Sequence, residues 1–270
     1  MKSCVTIALV PQIKTGPWIY WNDLEASMAK ASALGFDGVE LFTASADAIS
    51  PQRVAQLADQ YNLQIGAVGT GAGKVIHGLT LTDPDPAIRT QAIDFITDMI
   101  AFGAKVGAPA IIGSMQGNVA PGVDHEQALS WLAEGLNTLG QRAEDQGVSL
   151  IYEPLNRYET NLINTLDVGV NLLKGLNNKA VALLADLFHM NIEEPSLSES
   201  IRMAGSFIGH IHFADSNRRP IGLGHLAMDE VATAINEIGY SGFISAEAFP
   251  YPDSDQAAKQ TIESFTHYFG

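Results

Sequence analysis

Four side chains that can bind a metal ion follow short β-rich runs in the second half of the chain. They are Glu153, Asp186, His212 and Glu247, at intervals of 33, 26 and 35 residues, each near the length of one βα repeat. Any one of them alone could be a capping or salt-bridged residue. Three clustered carboxylates without a cation would share protons or have strongly raised pKa values. Together they predict a mainly oxygen site suited to Mn²⁺, Mg²⁺ or Co²⁺.

Three further polar side chains stand close to these candidate ligands along the chain. Glu159 follows Glu153 by six residues, His189 follows Asp186 by three, and Arg218 lies in the segment ADSNRRP. Groups of these types can hydrogen-bond the hydroxyl or carbonyl oxygens of a substrate. The alternative is charge pairing within the loops, and the residues alone leave both possibilities open.

The pattern that would position these groups is a repeated alternation of strand and helix. Short apolar runs alternate with stretches of helical spacing, such as Ile93, Ile96 and Ile100. Eight such units without a dividing linker predict a single (β/α)8 barrel over residues 1–270, with an open doubly wound sheet as the alternative. In a barrel the active site lies at the carboxyl ends of the strands, where the candidate ligands fall. The predicted strands are Cys4 to Val10, Gly38 to Phe42, Gln64 to Val68, Ala110 to Ser114, Val148 to Glu153, Val181 to Asp186, Ile208 to Ala214 and Phe243 to Glu247.

Local signals mark where the predicted helices begin and end. Ser50-Pro51 and Asp85-Pro86 place a capping residue before proline, and Asp124 precedes the helical stretch 125–146. Glycine suits the left-handed position that follows a helix. Four glycines fall there, just before the next strand: Gly35, Gly107, Gly147 and Gly239.

The amino-acid composition indicates which kinds of binding partner and which cellular compartment to expect. The 270 residues include 30 Asp and Glu against 15 Lys and Arg, a formal charge of −15, so nucleic acid is not expected as a partner. The only cysteine is Cys4, which favours a reducing, cytoplasmic location. The run from Cys4 to Val10 resembles a short signal sequence, but Pro11 and the lack of a cleavage pattern favour a first strand. No uncharged apolar run is long enough for a membrane span.

Several sequence blocks resemble the xylose isomerase-like TIM-barrel superfamily, in particular its D-tagatose 3-epimerase and 5-keto-L-gluconate epimerase group. The resemblance extends over nearly the whole chain, and EPLNRYET and DLFHMNIEE are its most specific parts. The blocks that carry it are GTGAGKVIHGLTLTDPDPAIRTQAI, IIGSMQG, IYEPLNRYETNLINT, ADLFHMNIEE, HIHFADSNRRPIGLGH and ISAEAF.

This resemblance implies a role for each candidate residue. Glu153, Asp186, His212 and Glu247 would bind one divalent metal ion, usually Mn²⁺, with Mg²⁺, Co²⁺ or Zn²⁺ as alternatives. Glu153 and Glu247 would also be the two acid/base groups. The resemblance further implies a small sugar or sugar acid as substrate and a homodimer or homotetramer. The implied substrate contacts are Glu159, His189 and Arg218, together with an apolar wall at Phe249.

The chemistry expected of such a site is epimerisation beside a carbonyl. A proton leaves one face of the carbon and another returns to the opposite face, through a metal-bound enediolate, which requires an acid and a base on opposite sides. The expected function is thus C3-type epimerisation of a ketose or keto-sugar acid. An aldose-ketose or hydroxypyruvate-type isomerase would use the same site. A catalytically silent sugar-binding barrel is the alternative from another class.

Motifs that would indicate other functions are incomplete in this sequence. The segment GTGAGK at 69–74 fails the phosphate-loop pattern at Val68 and Val75, and is expected to be a flexible loop. Endonuclease IV shares the superfamily, but its extra histidine ligands have no counterparts in GAVGTGAG, IIGSMQG and ADSNRR. Trp18, Tyr20 and Trp21 would form either an apolar lid over a sugar or a surface covered by a neighbouring subunit.

Overall fold

Eight parallel strands close into a barrel because the first strand pairs with the last. The computed structural model describes residues 1–270. Lys2 to Val5 of the first strand pair with Phe243 to Ala246 of the last, so the open doubly wound sheet is ruled out. The strands are β1 (Lys2–Leu9), β2 (Tyr20–Trp21), β3 (Gly38–Thr43), β4 (Gln64–Gly69), β5 (Ala110–Ile112), β6 (Leu150–Tyr152), β7 (Val181–Asp186), β8 (Ile208–His212) and β9 (Phe243–Ala246).

Helices connect the strands and surround the barrel. Most begin at an Asp or Ser whose side chain accepts a backbone N–H of the first turn, as Ser50, Asp85 and Asp124 do. The four predicted helix-ending glycines all have positive φ, for example 85° at Gly35. The helices are α1 (Leu24–Leu34), α2 (Pro51–Tyr61), α3 (Ala72–His77), α4 (Pro86–Lys105), α5 (His125–Asp145), α6 (Leu166–Lys174), α7 (Leu187–Glu193), α8 (Leu197–Ala204), α9 (Met228–Glu237) and α10 (Ser254–Phe269). None has both the length and the apolar composition needed to cross a membrane.

The core has two parts. A large apolar cluster of 62 buried residues joins the strands to the helices around them. A separate group of four buried residues packs together from four successive strands, β4 to β7. Its members are Ala67, Ile111, Ile151 and Leu184. The buried residues of β3 and β8 also include three polar ones, Glu40, His210 and His212.

The predicted strands are confirmed, and two segments differ from expectation. Tyr20 and Trp21 form the short strand β2, which pairs with β1 and is additional to the eight barrel strands. The expectation of a flexible loop at 69–74 is wrong, because the segment is the end of β4 followed by the start of α3. Gly73 allows this helix to pack closely, since a Cβ there would collide with Met115 and Phe95.

Candidate functional site

The four candidate ligands meet at one end of the barrel. Nδ1 of His212 lies 3.3 Å from Oδ2 of Asp186, 3.5 Å from Oε1 of Glu153 and 3.7 Å from Oε2 of Glu247. One ligand atom from each of the four residues lies within 4.8 Å of the others. Asp186 and His212 are the last residues of β7 and β8, and Glu153 and Glu247 directly follow β6 and β9. The parallel strands therefore bring together residues that are up to 94 positions apart.

The chemistry of this group fits a divalent cation. Oε1 of Glu153 is buried and has no hydrogen-bond partner, an arrangement that costs free energy unless a cation or a donor is supplied. The two oxygens of Asp186 have different roles. Oδ1 caps α7 by accepting the N–H of Phe188 at 2.8 Å, and Oδ2 faces the other three candidate ligands. The capping and ligand interpretations of Asp186 are thus compatible. Three carboxylates and one imidazole nitrogen could bind one divalent ion.

Glu153 is held in place by the end of the neighbouring strand. Its backbone N–H donates to the carbonyl of Ile112, which extends the sheet by one residue. Nε2 of Gln116 donates to the carbonyls of Glu153 and Gly113, and the Tyr152 hydroxyl donates to Oε1 of Gln116 at 2.6 Å. Gly113 leaves room for the carboxylate, because a Cβ there would overlap Oε2 of Glu153. Sequence reasoning did not identify Gly113 or Gln116 as part of the site.

His189 presents an unpartnered N–H to the site. Its Nδ1 accepts the backbone N–H of Asn156 at 3.2 Å and lies 2.7 Å from Nδ2 of the same residue. Because a backbone N–H can only donate, Nδ1 is the acceptor and the proton of the neutral ring lies on Nε2. That Nε2 is buried without a partner, 3.9 Å from Oε1 of Glu153. Asn156, which sequence reasoning missed, also donates to Oε1 of Glu159 at 3.1 Å.

Arg218 joins Glu247 to the rim of the site. Its Nη2 donates to Oε2 of Glu247 at 2.5 Å, and Nη1 lies 3.4 Å from Oε1 of Glu159. The guanidinium also covers the ring of Phe188 at 4.8 Å, while its Nε is buried without a partner. Arg218 has a φ of 57°, and its loop is fixed by Asp215, whose carboxylate accepts several backbone N–H groups of residues 216–226. The Nε–H of Arg218 thus has no partner within the protein.

Glu40 and His210 lie beyond His212, and sequence reasoning missed them. Oε1 of Glu40 lies 3.2 Å from Nε2 of His212, and Oε2 lies 2.9 Å from Nε2 of His210. A charged residue within the apolar strand GVELFT, and a second histidine two residues before the ligand histidine, were the available signals.

A cavity of about 210 Å³ opens above the candidate ligands. Glu159, His189 and Arg218 line it together with Glu153, His212 and Glu247. The first half of the chain also contributes to its walls, through Pro17, Trp18, Phe42, Thr70, Val75 and Ser114. The Trp18 ring packs 4.3 Å from that of Phe42, whereas Tyr20 is buried outside the cavity lining. Phe249 is 43% exposed and lies outside the lining, with its backbone N–H donated to the carbonyl of Arg218.

The electrostatics of the ligand group favour bound protons when no cation is present. Burial, together with the negative charges of Glu153 and Asp186, raises the pKa of Glu247 to about 7, although Arg218 and His212 oppose the shift. Burial alone would lower the pKa of His212. The carboxylates of Glu40 and Glu247 outweigh that effect, and the pKa of His212 lies well above its ordinary value.

Comparison with known proteins gives the same family from sequence and from structure. A family model described as xylose isomerase-like TIM barrel matches residues 28–268. The D-psicose 3-epimerase of Ruminiclostridium cellulolyticum is 32% identical over 246 residues, covering 86% of this chain and 82% of that protein. The L-ribulose 3-epimerase of Mesorhizobium japonicum is 26% identical over 234 residues, covering 84% and 76%.

A solved structure agrees with these sequence relatives. The crystal structure of D-psicose 3-epimerase with D-tagatose from Clostridium cellulolyticum H10 has a TM-score of 0.79 and 25% sequence identity, with 99% of each chain covered. The region that the family model matches, residues 28–268, includes every strand from β3 to β9 and therefore all four candidate ligands. The chain belongs to the xylose isomerase-like TIM barrel family.

Proposed function

We propose that this protein is a metal-dependent isomerase that epimerises a ketose or keto-sugar acid at the carbon beside its carbonyl, in a C3-type reaction. The observation that carries this proposal is the pair of carboxylates from β6 and β9, Glu153 and Glu247, on either side of the ligands Asp186 and His212. Two barrel strands separate them, and in the proposal a sugar bound between them has one carboxylate toward each face. The epimerase relatives support the same reaction class.

The two glutamates exchange the proton. One carboxylate removes the proton from one face of the carbon, and the other, protonated, returns a proton to the opposite face. A divalent cation bound by Glu153, Asp186, His212 and Glu247 would supply positive charge for the negative charge that develops on the substrate oxygens.

The remaining polar groups orient the sugar. The Nε2–H of His189 and the Nε–H of Arg218 are unpartnered donors for the carbonyl and hydroxyl oxygens. The Glu159 carboxylate, 41% exposed at the rim, accepts from a hydroxyl. We assign Trp18 and Phe42 to an apolar wall of the cavity. The apolar contact that the family resemblance implies for Phe249 is also part of the proposal, although its side chain lies outside the cavity lining.

The cation and the cellular setting are part of the same proposal. We assign Mn²⁺ as the cation, and Mg²⁺, Co²⁺ or Zn²⁺ also suit a set of three carboxylates and one imidazole. We further propose a homodimer or homotetramer, which the family resemblance supports, and a cytoplasmic location, which the single, buried Cys4 supports.

Hydrogen exchange tests the proposed reaction directly. Incubation of the Mn²⁺-loaded protein with a panel of ketoses and keto-sugar acids in D₂O should place deuterium on the carbon beside the carbonyl, as measured by NMR. The reason is that a carboxyl group that has taken up the substrate proton exchanges it with solvent before returning one. Protein treated with a chelator is the control and should give no exchange.

The position of the label separates the alternatives. Deuterium at C3 with a C3 epimer as product supports the proposal, whereas deuterium at C1 or C2 with an aldose as product identifies a C1–C2 isomerase. Failure of the metal-loaded protein to exchange hydrogen in any sugar of the panel would contradict both and favour a barrel that only binds a sugar.

Cation affinity should depend steeply on pH. Binding requires the ionised carboxylate of Glu247 and the free Nδ1 lone pair of His212, and the pKa values of both groups are raised. Cation binding must therefore release protons below pH 7, and each released proton changes the affinity ~10-fold per pH unit. Calorimetric titration with Mn²⁺ in buffers of different ionisation enthalpy measures both the affinity and the proton count. An affinity that is independent of pH would contradict this arrangement.

A further inference from the structure

A buried carboxylate and two imidazoles occupy the barrel interior beneath the proposed cation site. Glu40 belongs to β3, and His210 and His212 belong to β8. These two strands are not neighbours, since β1 and β9 lie between them, so the side chains meet across the inside of the barrel. Glu40 is 5% exposed and each histidine 1%. A buried carboxylate of this kind requires hydrogen-bond partners, because an unpaired charge in a protein interior is strongly unfavourable.

The contacts of Glu40 fix the proton positions on both rings. One carboxylate oxygen lies 3.2 Å from Nε2 of His212, and the other lies 2.9 Å from Nε2 of His210. An ionised carboxylate only accepts hydrogen bonds, so each Nε2 carries the proton that it donates. The second nitrogen of His212, Nδ1, faces the carboxylates of Glu153, Asp186 and Glu247.

We propose that Glu40 is a positioning residue for His212: its carboxylate holds the ring in one orientation with the proton on Nε2, so that the lone pair of Nδ1 points at the cation. A metal-ligating histidine commonly donates its other N–H to an acceptor of this kind, which fixes the tautomer and makes the ligand nitrogen more basic. The role of His210 is to occupy the second oxygen of Glu40, which keeps that carboxylate from rotating away from His212. This inference rests on the proposed cation site, and it adds Glu40 to the four ligands.

The same three residues could be considered a second cation site, because their donor atoms are also close together. That arrangement would require His212 to bind one cation through each nitrogen. Nitrogen–oxygen distances of 2.9 and 3.2 Å are those of direct hydrogen bonds, so a hydrogen-bonded group is favoured. The two arrangements differ in stoichiometry, at one and two cations per chain.

Glu40→Gln is the informative substitution because it keeps the shape of the side chain but changes its hydrogen-bonding capacity. The amide offers one acceptor and one donor where the carboxylate offered two acceptors. One of the two imidazoles must therefore present a lone pair at Nε2 and move its proton to Nδ1. We expect the affinity for Mn²⁺ to fall by about 10–100-fold in this variant, measured by competition with a chelator. Glu40→Asp, which shortens the reach to both rings, should weaken binding in the same direction.

Asp37→Asn is the matched control. It removes a carboxylate directly before the first residue of the same strand, where Asp37 accepts the backbone N–H and hydroxyl of Ser3. Its Mn²⁺ affinity should equal that of the unmodified protein. If the unmodified protein binds no cation, the proposed function fails. If it binds one and both Glu40 variants bind equally tightly, only the role of Glu40 is wrong. Two cations per chain would overturn the inference in favour of a second site.

NMR of the unmodified protein tests the tautomer without any substitution, so a folding defect in a variant cannot obscure the result. The probe is the zinc-loaded protein labelled with ¹⁵N in its histidines. The His212 ring is identified as the one whose ¹⁵N resonances shift on zinc addition, whichever nitrogen shifts. We expect its proton on Nε2, protected from exchange with solvent by the hydrogen bond to Glu40. A zinc-dependent shift at Nε2, with the proton on Nδ1, would overturn the inference.

Discussion

Glu247→Gln and Glu153→Gln should each lower kcat by about 10²–10⁴-fold when measured at saturating Mn²⁺, because each substitution removes one of the two groups that carry the proton. The amide has nearly the same shape and still offers one oxygen, so the loss is expected in proton transfer more than in folding. Steady-state kinetics with the ketose identified by deuterium exchange is the measurement. Both carboxylates also belong to the proposed cation site, so cation content must be measured for each variant.

Asp186→Asn distinguishes loss of a proton carrier from loss of cation affinity. Asp186 faces the same cation but is not one of the proposed acid/base pair, so raising the Mn²⁺ concentration should restore most of its activity. The glutamine variants should remain inactive under the same conditions. A glutamine variant that keeps full kcat with cation bound would show that its glutamate is not a proton carrier.

Gly113→Ala should remove most of the activity by displacing Glu153, although position 113 itself carries no functional group. The added Cβ would overlap Oε2 of Glu153, and the carboxylate would have to move. Because the atom that moves lies at the end of a flexible side chain, we expect a stability cost of about 1 kcal/mol. Misplacing a catalytic group by ~1 Å can cost ~10²-fold in rate. The measurements are kcat, Mn²⁺ affinity and thermal unfolding.

Gly175→Ala provides the matched control for this substitution. Gly175 follows α6, is exposed, and has a φ of −82°, a conformation that alanine adopts without strain. Its kcat should be unchanged. If Gly113→Ala folds normally and keeps activity close to that of Gly175→Ala, the position of Glu153 is not set by the space at residue 113.

The fold could be predicted largely from hydrophobic patterning because each barrel strand is a short apolar run followed by a helix with clear end signals. Strand β2 was missed because two residues are too few to show an alternating hydrophobic pattern. It is a strand because Tyr20 pairs with Ile7 of β1. Helix α3 was missed because the three glycines of GTGAGK suggest a loop. Packing of Gly73 against Met115 outweighs that local preference.

The four candidate ligands could be predicted because they stand at the carboxyl ends of strands, and the barrel topology brings those ends together. Glu40 was missed because it stands within β3 and not at its carboxyl end. Asn156 and Gln116 are ordinary polar residues in sequence, and only the contacts with His189 and with Glu153 show what they hold in place.

The pairing of β1 with β9 sets the order in which the protein can assemble during synthesis on the ribosome. A nascent chain that ends before Phe243 has unpaired backbone groups along one edge of β1 and, at Ile211 and His212, along one edge of β8. Exposed strand edges are prone to pair with other chains. Productive closure and the gathering of Glu153, Asp186, His212 and Glu247 must therefore wait until the last βα unit has emerged.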